Sequence, residues 1–423
     1  MADDGSVYLG LDFGTSGARA ALISAEGGLL AEWREPYDIA IVDSWRYALF
    51  RLLAGIPAEF RRHLAAIAFD GTSSTVVLCD GNGHPVTSTL LYNDQRAKVE
   101  AQALQTLIPE ENPAISASSS LAKLLWLAKQ PGADSARFFL HQADWLAAQL
   151  HGHWGVSDYH NALKLGYDVT NLRYPEWVNT LPVAPWLPHV AVPGEDIGPL
   201  RPEIAREFAL PQDCLVRAGT TDSIAAFLAA GASQPGEAVT SLGSTLVLKL
   251  LSATRIDAPR YGIYSHRLGN LWLAGGASNS GGAVLKRFFS DDELAELSLR
   301  IDPRQDSGLD YYPLPAPGER FPLADPEMEP RLDPRPAEDS RFLHGMLEGM
   351  AKIEAAGYRL LEQLGATPLK SVQTAGGGAR NPAWTAIRAR LLGVPVKAAA
   401  HGEAAYGTAL LARSGPSLYN GPN

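Results

Sequence analysis

Two stretches of one pattern, far apart in the chain, constrain its architecture more than any other feature. The first is Leu9-Gly10-Leu11-Asp12-Phe13-Gly14-Thr15-Ser16-Gly17-Ala18-Arg19-Ala20-Ala21-Leu22-Ile23. An apolar run delivers one carboxylate, then small and hydroxylated residues, then a second apolar run. That order reads as a β-hairpin with a tight turn. Free N–H groups and hydroxyls in such a turn can hold phosphate oxygens, and Asp12 can hold Mg²⁺. An ordinary hairpin is the plainer alternative. The second stretch is Ser241-Leu242-Gly243-Ser244-Thr245-Leu246-Val247-Leu248-Lys249-Leu250, which repeats the pattern without the aspartate. Two hairpins of one design imply two related halves. Opposed across a cleft, they would clamp the two ends of a polyphosphate.

Size agrees with two halves, because 423 residues are long for one hydrophobic core. The balance of 46% apolar and 19% charged residues is that of a compact chain. A net charge of −10 without a basic stripe argues against nucleic acid as a partner. An anionic nucleotide would then need local N–H groups and a bound cation. No apolar run reaches the about 18 residues of a membrane span. The start, Met1-Ala2-Asp3-Asp4-Gly5-Ser6, has no basic region and is not a signal peptide. Cys79 and Cys214 are too isolated for a disulfide framework or zinc site, and a reducing cytoplasm is the simplest location. His151 and His153 flank Gly152, which reads as surface rather than metal site.

Patterning places strands near residues 7–12, 18–23, 65–69 and 75–79, and helices near 44–54, 95–107, 118–129 and 142–150. Residues 151–200 read as loop-rich. A strand near 214–218 precedes a short helix at 223–230, and residues 237–276 turn β-like again. Residues 302–340, dense in Pro and charge, read as a surface excursion. Residues 341–364 carry the period of a long helix.

Three further segments hold candidate chemistry. Asp70-Gly71-Thr72-Ser73-Ser74-Thr75 lies between apolar strands, where small polar residues either line a cleft or cap a turn. Tyr92-Asn93-Asp94-Gln95-Arg96 follows. It offers groups that bind sugar hydroxyls, or a helix N-cap at Asn93 or Asp94. In Arg217-Ala218-Gly219-Thr220-Thr221-Asp222-Ser223, a strand runs into Asp222 at a helix start. Asp222 is either a simple N-cap or an ionised carboxylate that takes a proton from a hydroxyl. Last, Val372-Gln373-Thr374-Ala375-Gly376-Gly377-Gly378-Ala379-Arg380-Asn381-Pro382-Ala383-Trp384 runs a strand into three glycines and a helix. Asn381 is its N-cap, Pro382 its first residue, and Gly393 ends it. Bare glycine backbone admits a flat aromatic ring, and Asn381 and Trp384 would flank an adenine. No Gly-x4-Gly-Lys-Ser/Thr and no Gly-x-Gly-x-x-Gly motif is present.

These segments in this order resemble the FGGY family of carbohydrate kinases, over nearly the whole chain from Gly10 to about Ala412. Ser118-x-Ser120-x-x-Lys123-Leu124-x-Trp126-Leu127-x-Lys129-Gln130 and Gly402-Glu403-Ala404-Ala405-Tyr406-Gly407-Thr408 match further family patterns. The resemblance implies an α/β fold of two actin-like (ribonuclease H-like) ATPase domains with a cleft between them. One would span 1–228 plus about 403–423, the other 229–402. It implies Mg²⁺ at Asp12, and ATP phosphates near Gly14, Thr15, Ser16, Gly243, Ser244 and Thr245. Adenosine would lie near Gly376, Gly377, Gly378, Asn381 and Trp384. Asp222 would be the general base. Sugar contacts fall on Asp12, Ser16, Gly17, Ala18, Arg19, Ser73, Ser74, Asn93, Asp94 and Asp222, with Arg96 nearby. Well-known xylulose kinases have Met-His where this chain has Ser73-Ser74, and the segment is similar to that of small D-ribulose kinases. The implied reaction is ATP-dependent phosphorylation of a ketopentose, D-ribulose foremost, with a D-xylulose or polyol kinase or a non-kinase actin-like ATPase as alternatives. Monomer and homodimer both stay open.

Overall fold

The structure is a computed structural model that describes residues 5–108 and 112–419. The acidic start at residues 1–4 and the tail at 420–423 lie outside the described residues. The chain divides into two compact units, Met1–Ala229 with Glu403–Asn423, and Ala230–Gly402.

In the first unit, strands β1 (Val7–Gly14), β2 (Gly17–Ser24) and β3 (Leu29–Glu35) form an antiparallel meander. Strand β4 (Leu64–Gly71) then pairs parallel with β1. Leu215–Arg217 and Thr220–Thr221 pair parallel with β4. β1 is almost wholly buried on both faces, as a central strand should be. Leu9, Leu11 and Phe13 face a core that includes Trp45, Leu49 and Leu52 of the helix Val42–Ala54. The opposite face meets the helix Ala404–Ser414, contributed by the far end of the chain. β3 is absent from the sequence expectation because none of its residues is buried and its charged residues leave no apolar run to read.

Glycines set how closely that C-terminal helix docks. A Cβ on Gly10 of β1 would lie 2.1 Å from Ala405 O, and one on Gly407 would lie 1.9 Å from Ala225 O in the helix Asp222–Ala230. Gly407→Ala should therefore push two backbones apart and cost about 2–3 kcal/mol. A clear fall in the denaturant midpoint of the first unit is the expected readout.

The helix expected from residue 95 begins at Lys98, with Ala97 at its N-cap. Asp94 Oδ1 instead accepts from the Arg96 backbone N–H at 3.0 Å, closing a turn before the helix. The N-cap alternative for Asn93 and Asp94 is thereby corrected. His151, expected at the surface, is buried, and its Nδ1 accepts from His153 N.

The second unit repeats the plan. Glu237–Leu242 and Leu246–Ser252 form a hairpin, Leu271–Ser278 extends it, and Ser371–Ala375 and Val396–Ala398 add parallel strands. The long helix Asp339–Gln363 covers the sheet. The region 302–340 is more than a surface excursion. Leu309, Tyr311 and Phe321 are buried in the core of this unit. The long helix makes room for them, since a Cβ on Gly345 would lie 2.7 Å from Leu309 Cδ1 and one on Gly357 would lie 2.6 Å from Phe321 Cε1. Composition registered the prolines and charges there, while the buried aromatics follow no period.

Candidate functional site

Strand register assembles the acidic part of the site. Asp12 on β1 is paired with Asp70 on β4, and Asp70 is paired with Thr220. One residue beyond Thr221, the helix Asp222–Ala230 begins. Neighbouring strands lie about 4.8 Å apart. Three carboxylates thus collect at the carboxyl ends of parallel strands, where open α/β sheets bind ligands. Asp12 and Asp70 are both buried. Burial raises the pKa of Asp12, against a hydrogen bond with Asp70 and the charge of Arg19. Burial, and then the charge of Asp12, pushes Asp70 well above the ordinary carboxylate range. Asp222 is half-buried, and its Oδ1 accepts from Ser223 N at 2.6 Å. A helix N-terminus suits a carboxylate there.

The hairpin between β1 and β2 has a two-residue turn, Thr15-Ser16, closed by the pair Gly14 and Gly17. Thr15 and Ser16 are exposed, so their hydroxyls are open to a ligand. Gly17 has φ +138°, a region that favours glycine. Gly14 lies above Asp12, and a Cβ there would come within 3.3 Å of Asp12 Oδ1. Arg19 Nη1 lies 3.3 Å from Asp12 Oδ2, and its Nη2 donates to Ser16 Oγ at 3.1 Å. Ala18 is a different case. Its methyl group is buried in the core, so its side chain does not reach a ligand.

Sequence reasoning missed Tyr37, Gln142 and the carboxylate of Asp70 as parts of this arrangement. The Tyr37 hydroxyl donates to Gly14 O at 2.7 Å, and Gln142 Nε2 approaches that hydroxyl at 3.2 Å. Burial raises the Tyr37 pKa, and the charges of Asp12, Asp70 and Asp222 add to the rise. Tyr37 lies in an unpatterned loop and carries no sequence signal.

The loop after β4 serves the fold as well as the site. Thr72 N and Thr72 Oγ1 both donate to Gln142 Oε1 at 3.1 Å. Ser74 has φ +65° and is buried, and its hydroxyl accepts from Ser120 Oγ at 3.1 Å. Ser120 in turn meets His141 Nε2 at 3.0 Å, and His141 Nδ1 meets Asp144 at 2.9 Å. The Ser74 side chain therefore shapes the loop, and Ser73 is the half-buried member of the pair. Lys123 Nζ, buried, donates to Ser74 O at 2.7 Å and Leu91 O at 2.6 Å. It ties residues 72–75 to the segment holding exposed Asn93 and half-buried Asp94. Asp94 and Arg96 form an ion pair at 2.9 Å, and the Arg96 guanidinium lies over the Trp126 ring. Lys123→Met strips one buried and one partly buried carbonyl of their donor and should cost about 2–3 kcal/mol. Faster hydrogen exchange at residues 73–75 would accompany it.

In the second unit, Gly243-Ser244-Thr245 forms the hairpin turn, with Gly243 and Ser244 exposed. It is braced from below, because Gly282 N donates to Gly243 O at 2.8 Å and Ala283 N to Ser244 O at 3.1 Å. A Cβ on Gly281 would lie 2.6 Å from Ser244 O. Gly376 has φ +83°, and Gly376 and Gly377 are exposed. Around Gly377 a Cβ would meet nothing within 4 Å. Asn381 caps the helix Pro382–Leu392 by accepting from Trp384 N, and its Nδ2 donates to Ser298 Oγ at 2.8 Å. Its amide is spent on structure. Trp384 is buried in the core and its Cζ3 packs under Gly378. It supports the glycine loop from inside, which corrects the expectation that it flanks a ligand.

A buried network underlies both loops of this unit. Arg388 Nε and Nη2 donate to the two oxygens of Glu354 at 2.6 and 2.7 Å, and Nη1 donates to Thr374 Oγ1 at 2.7 Å. Thr240 donates to Glu354 at 2.5 Å and meets the Tyr358 hydroxyl at 2.7 Å. Thr240 and Thr374 are partners on adjacent strands, and each strand runs into one of the loops.

Among the described residues, no group of three His, Cys, Asp or Glu side chains would cage a metal. One or two carboxylates with substrate phosphates are the usual ligands of Mg²⁺. Asp12, under the bare Cα of Gly14 and beside Asp70, fits that ion.

Comparison with known proteins places these features in a family. The description "FGGY family of carbohydrate kinases, N-terminal domain" matches residues 7–229, and the C-terminal domain of the same family matches 238–414. That second match runs on through the helix Ala404–Ser414, which packs in the first unit. A xylulose kinase of Staphylococcus epidermidis is 22% identical, covering 97% of this chain and 88% of the relative. A gluconokinase of Bacillus subtilis is 24% identical over 90% and 81%. A xylulose kinase of Streptomyces rubiginosus is 28% identical over 94% and 85%. Among solved structures, a xyloylose kinase from Brucella ovis superposes with TM-score 0.83 at 24% identity, covering 99% of this chain and 91% of the other. A glycerol kinase from Plasmodium falciparum with ADP gives TM-score 0.82 at 15% identity, covering 96% and 89%. The two-domain α/β fold is that of these kinases. Among the described residues, no helix is long and apolar enough to cross a membrane.

Proposed function

The chain belongs to the FGGY family of carbohydrate kinases, and on that premise we propose that it transfers phosphate to the terminal hydroxyl of a ketopentose, D-ribulose foremost. As a family member it is an ATP-dependent phosphotransferase with an alcohol acceptor. The observation that supports the reading of the transfer step is the register that sets Asp12, Asp70 and Asp222 at neighbouring strand ends.

Phosphoryl transfer needs in-line positioning and neutralised charge more than covalent help. Asp222 accepts the proton of the attacking hydroxyl and aligns it. The turn Gly14-Thr15-Ser16 receives phosphate oxygens on its N–H groups and hydroxyls, as does Gly243-Ser244-Thr245, where the Gly243 N–H itself is spent on Thr245 O at 3.2 Å. The bare backbone of Gly376, Gly377 and Gly378 receives the base. Mg²⁺, held by Asp12, supplies charge neutralisation on the phosphates when bound. Arg19 keeps the Asp12 carboxylate oriented.

The choice of sugar rests on Ser73-Ser74, Asn93 and Asp94. Small hydroxylated residues stand where well-known xylulose kinases carry Met-His, and Ser73 is the one open to a ligand. Ribulose and xylulose differ in the orientation of one hydroxyl, which one or two hydrogen bonds discriminate. An ADP-release panel of D-ribulose, D-xylulose, ribitol, glycerol and gluconate tests the proposal. D-Ribulose should give the highest kcat/KM, by about tenfold. A higher value for D-xylulose or gluconate reassigns the acceptor, and equal ADP release with every compound points to a non-kinase ATPase.

A further inference from the structure

We propose that Asp70 is a second carboxylate for the divalent cation, acting beside Asp12. The inference rests on the reading of Asp12 as the cation's first ligand.

Asp70 is wholly buried. Its Oδ2 is held by the hydroxyl of Thr408 on the C-terminal helix. Its Oδ1 is buried and meets no N–H or hydroxyl donor, only the facing carboxyl of Asp12. Among the described residues no Lys, Arg or His forms an ion pair with Asp70, whereas Asp12 has Arg19. A buried carboxylate left this way is costly. Packing alone does not call for it, because an asparagine of the same shape would accept the Thr408 hydroxyl equally well and carry no charge.

The environment around Oδ1 explains the choice of an acid. Asp12 is its register partner on β1, and the charge of Asp222 also acts on it. Three carboxylates with one partly exposed arginine leave the strand ends short of positive charge. Hard oxygen donors of this kind suit Mg²⁺ or Mn²⁺. Thr408 fixes one oxygen of Asp70, so the other keeps its direction before any cation arrives. The missing Cβ of Gly14 leaves space on the Asp12 side.

The test is Mn²⁺ binding to the full chain in the presence of ADP, read from the free-ion electron paramagnetic resonance signal. Asp70→Asn should weaken Mn²⁺ about tenfold, the range seen for groups that support a metal ligand. Asp12→Asn is the control and should weaken it more. If Asp12→Asn weakens binding while Asp70→Asn does not, the assignment of Asp70 is overturned and Asp12 stands. If neither variant changes Mn²⁺ affinity, the reading of Asp12 fails as well. Thr408→Val covers the case in which Asp70→Asn does not fold. It leaves both carboxylates in place but frees Oδ2, and should weaken Mn²⁺ by about threefold, a smaller loss than removing the carboxylate. Unchanged affinity in a folded Thr408→Val protein, with no folded Asp70→Asn, also overturns the proposal.

Discussion

Asp222→Ala is expected to yield a folded protein that binds ATP normally and has lost about 10²- to 10⁴-fold in kcat for sugar phosphorylation. The loss should fall on kcat because the role proposed for Asp222 is on the proton of the attacking hydroxyl, and the nucleotide contacts proposed lie on other residues. Folding should persist, since the carboxylate stands at the first turn of a helix and its removal there costs only about 1 kcal/mol. Calorimetry with an ATP analogue and a quenched-flow measurement of ADP formation separate binding from chemistry. Wild-type turnover in this variant would remove Asp222 from the mechanism. Asp222→Asn sharpens the comparison, because it keeps the side chain's shape and its bond to Ser223 N while abolishing proton acceptance.

Breaking the buried ion pair of the second unit should have the largest effect on stability. Arg388→Ala leaves the Glu354 carboxylate unpaired inside the core, a change that costs about 3–5 kcal/mol. For a unit of this size that corresponds to a fall of roughly 10 °C in Tm. Calorimetric scans should show the loss in the transition of residues 230–402. The double variant Glu354→Leu with Arg388→Met removes both charges together. It should recover much of the stability, because the penalty belongs to the orphaned charge rather than to the missing attraction. Nucleotide affinity should still drop in the double variant. Thr240 would lose Glu354 and Thr374 would lose Arg388, and the two strands that carry the Gly243 and Gly376 loops would lose the ion pair that anchors both.

What the sequence reveals of this molecule depends on how local the cause is. Both hairpins are legible because a turn of small residues between apolar runs admits few alternatives, and β1 and β2 meet as read. Asn381, Pro382 and Gly393 are legible because capping is decided within one turn. Trp384 is not, since an aromatic one turn into a helix looks the same whether it faces a ligand or the core. Ser74 has the same ambiguity. Its burial comes from Ser120 and Lys123, which reach it from a helix far along the chain. Asp70 was visible only as part of a segment that either lines a cleft or caps a turn. Its meaning lies in register with Asp12 and in Thr408, contacts that no local pattern encodes.

The helix Ala404–Ser414 is encoded after all of the second unit, yet it covers the face of β1 that carries Gly10 and the helix that begins with Asp222. During translation it leaves the ribosome after the whole of the second unit. Until then, the first unit waits with an apolar sheet face uncovered while the second unit folds on its own. A nascent chain stalled before residue 404 should therefore engage holdase chaperones and resist protease poorly in its first half. Synthesis of residues 404–414 then closes the sheet face of the first unit in one late step.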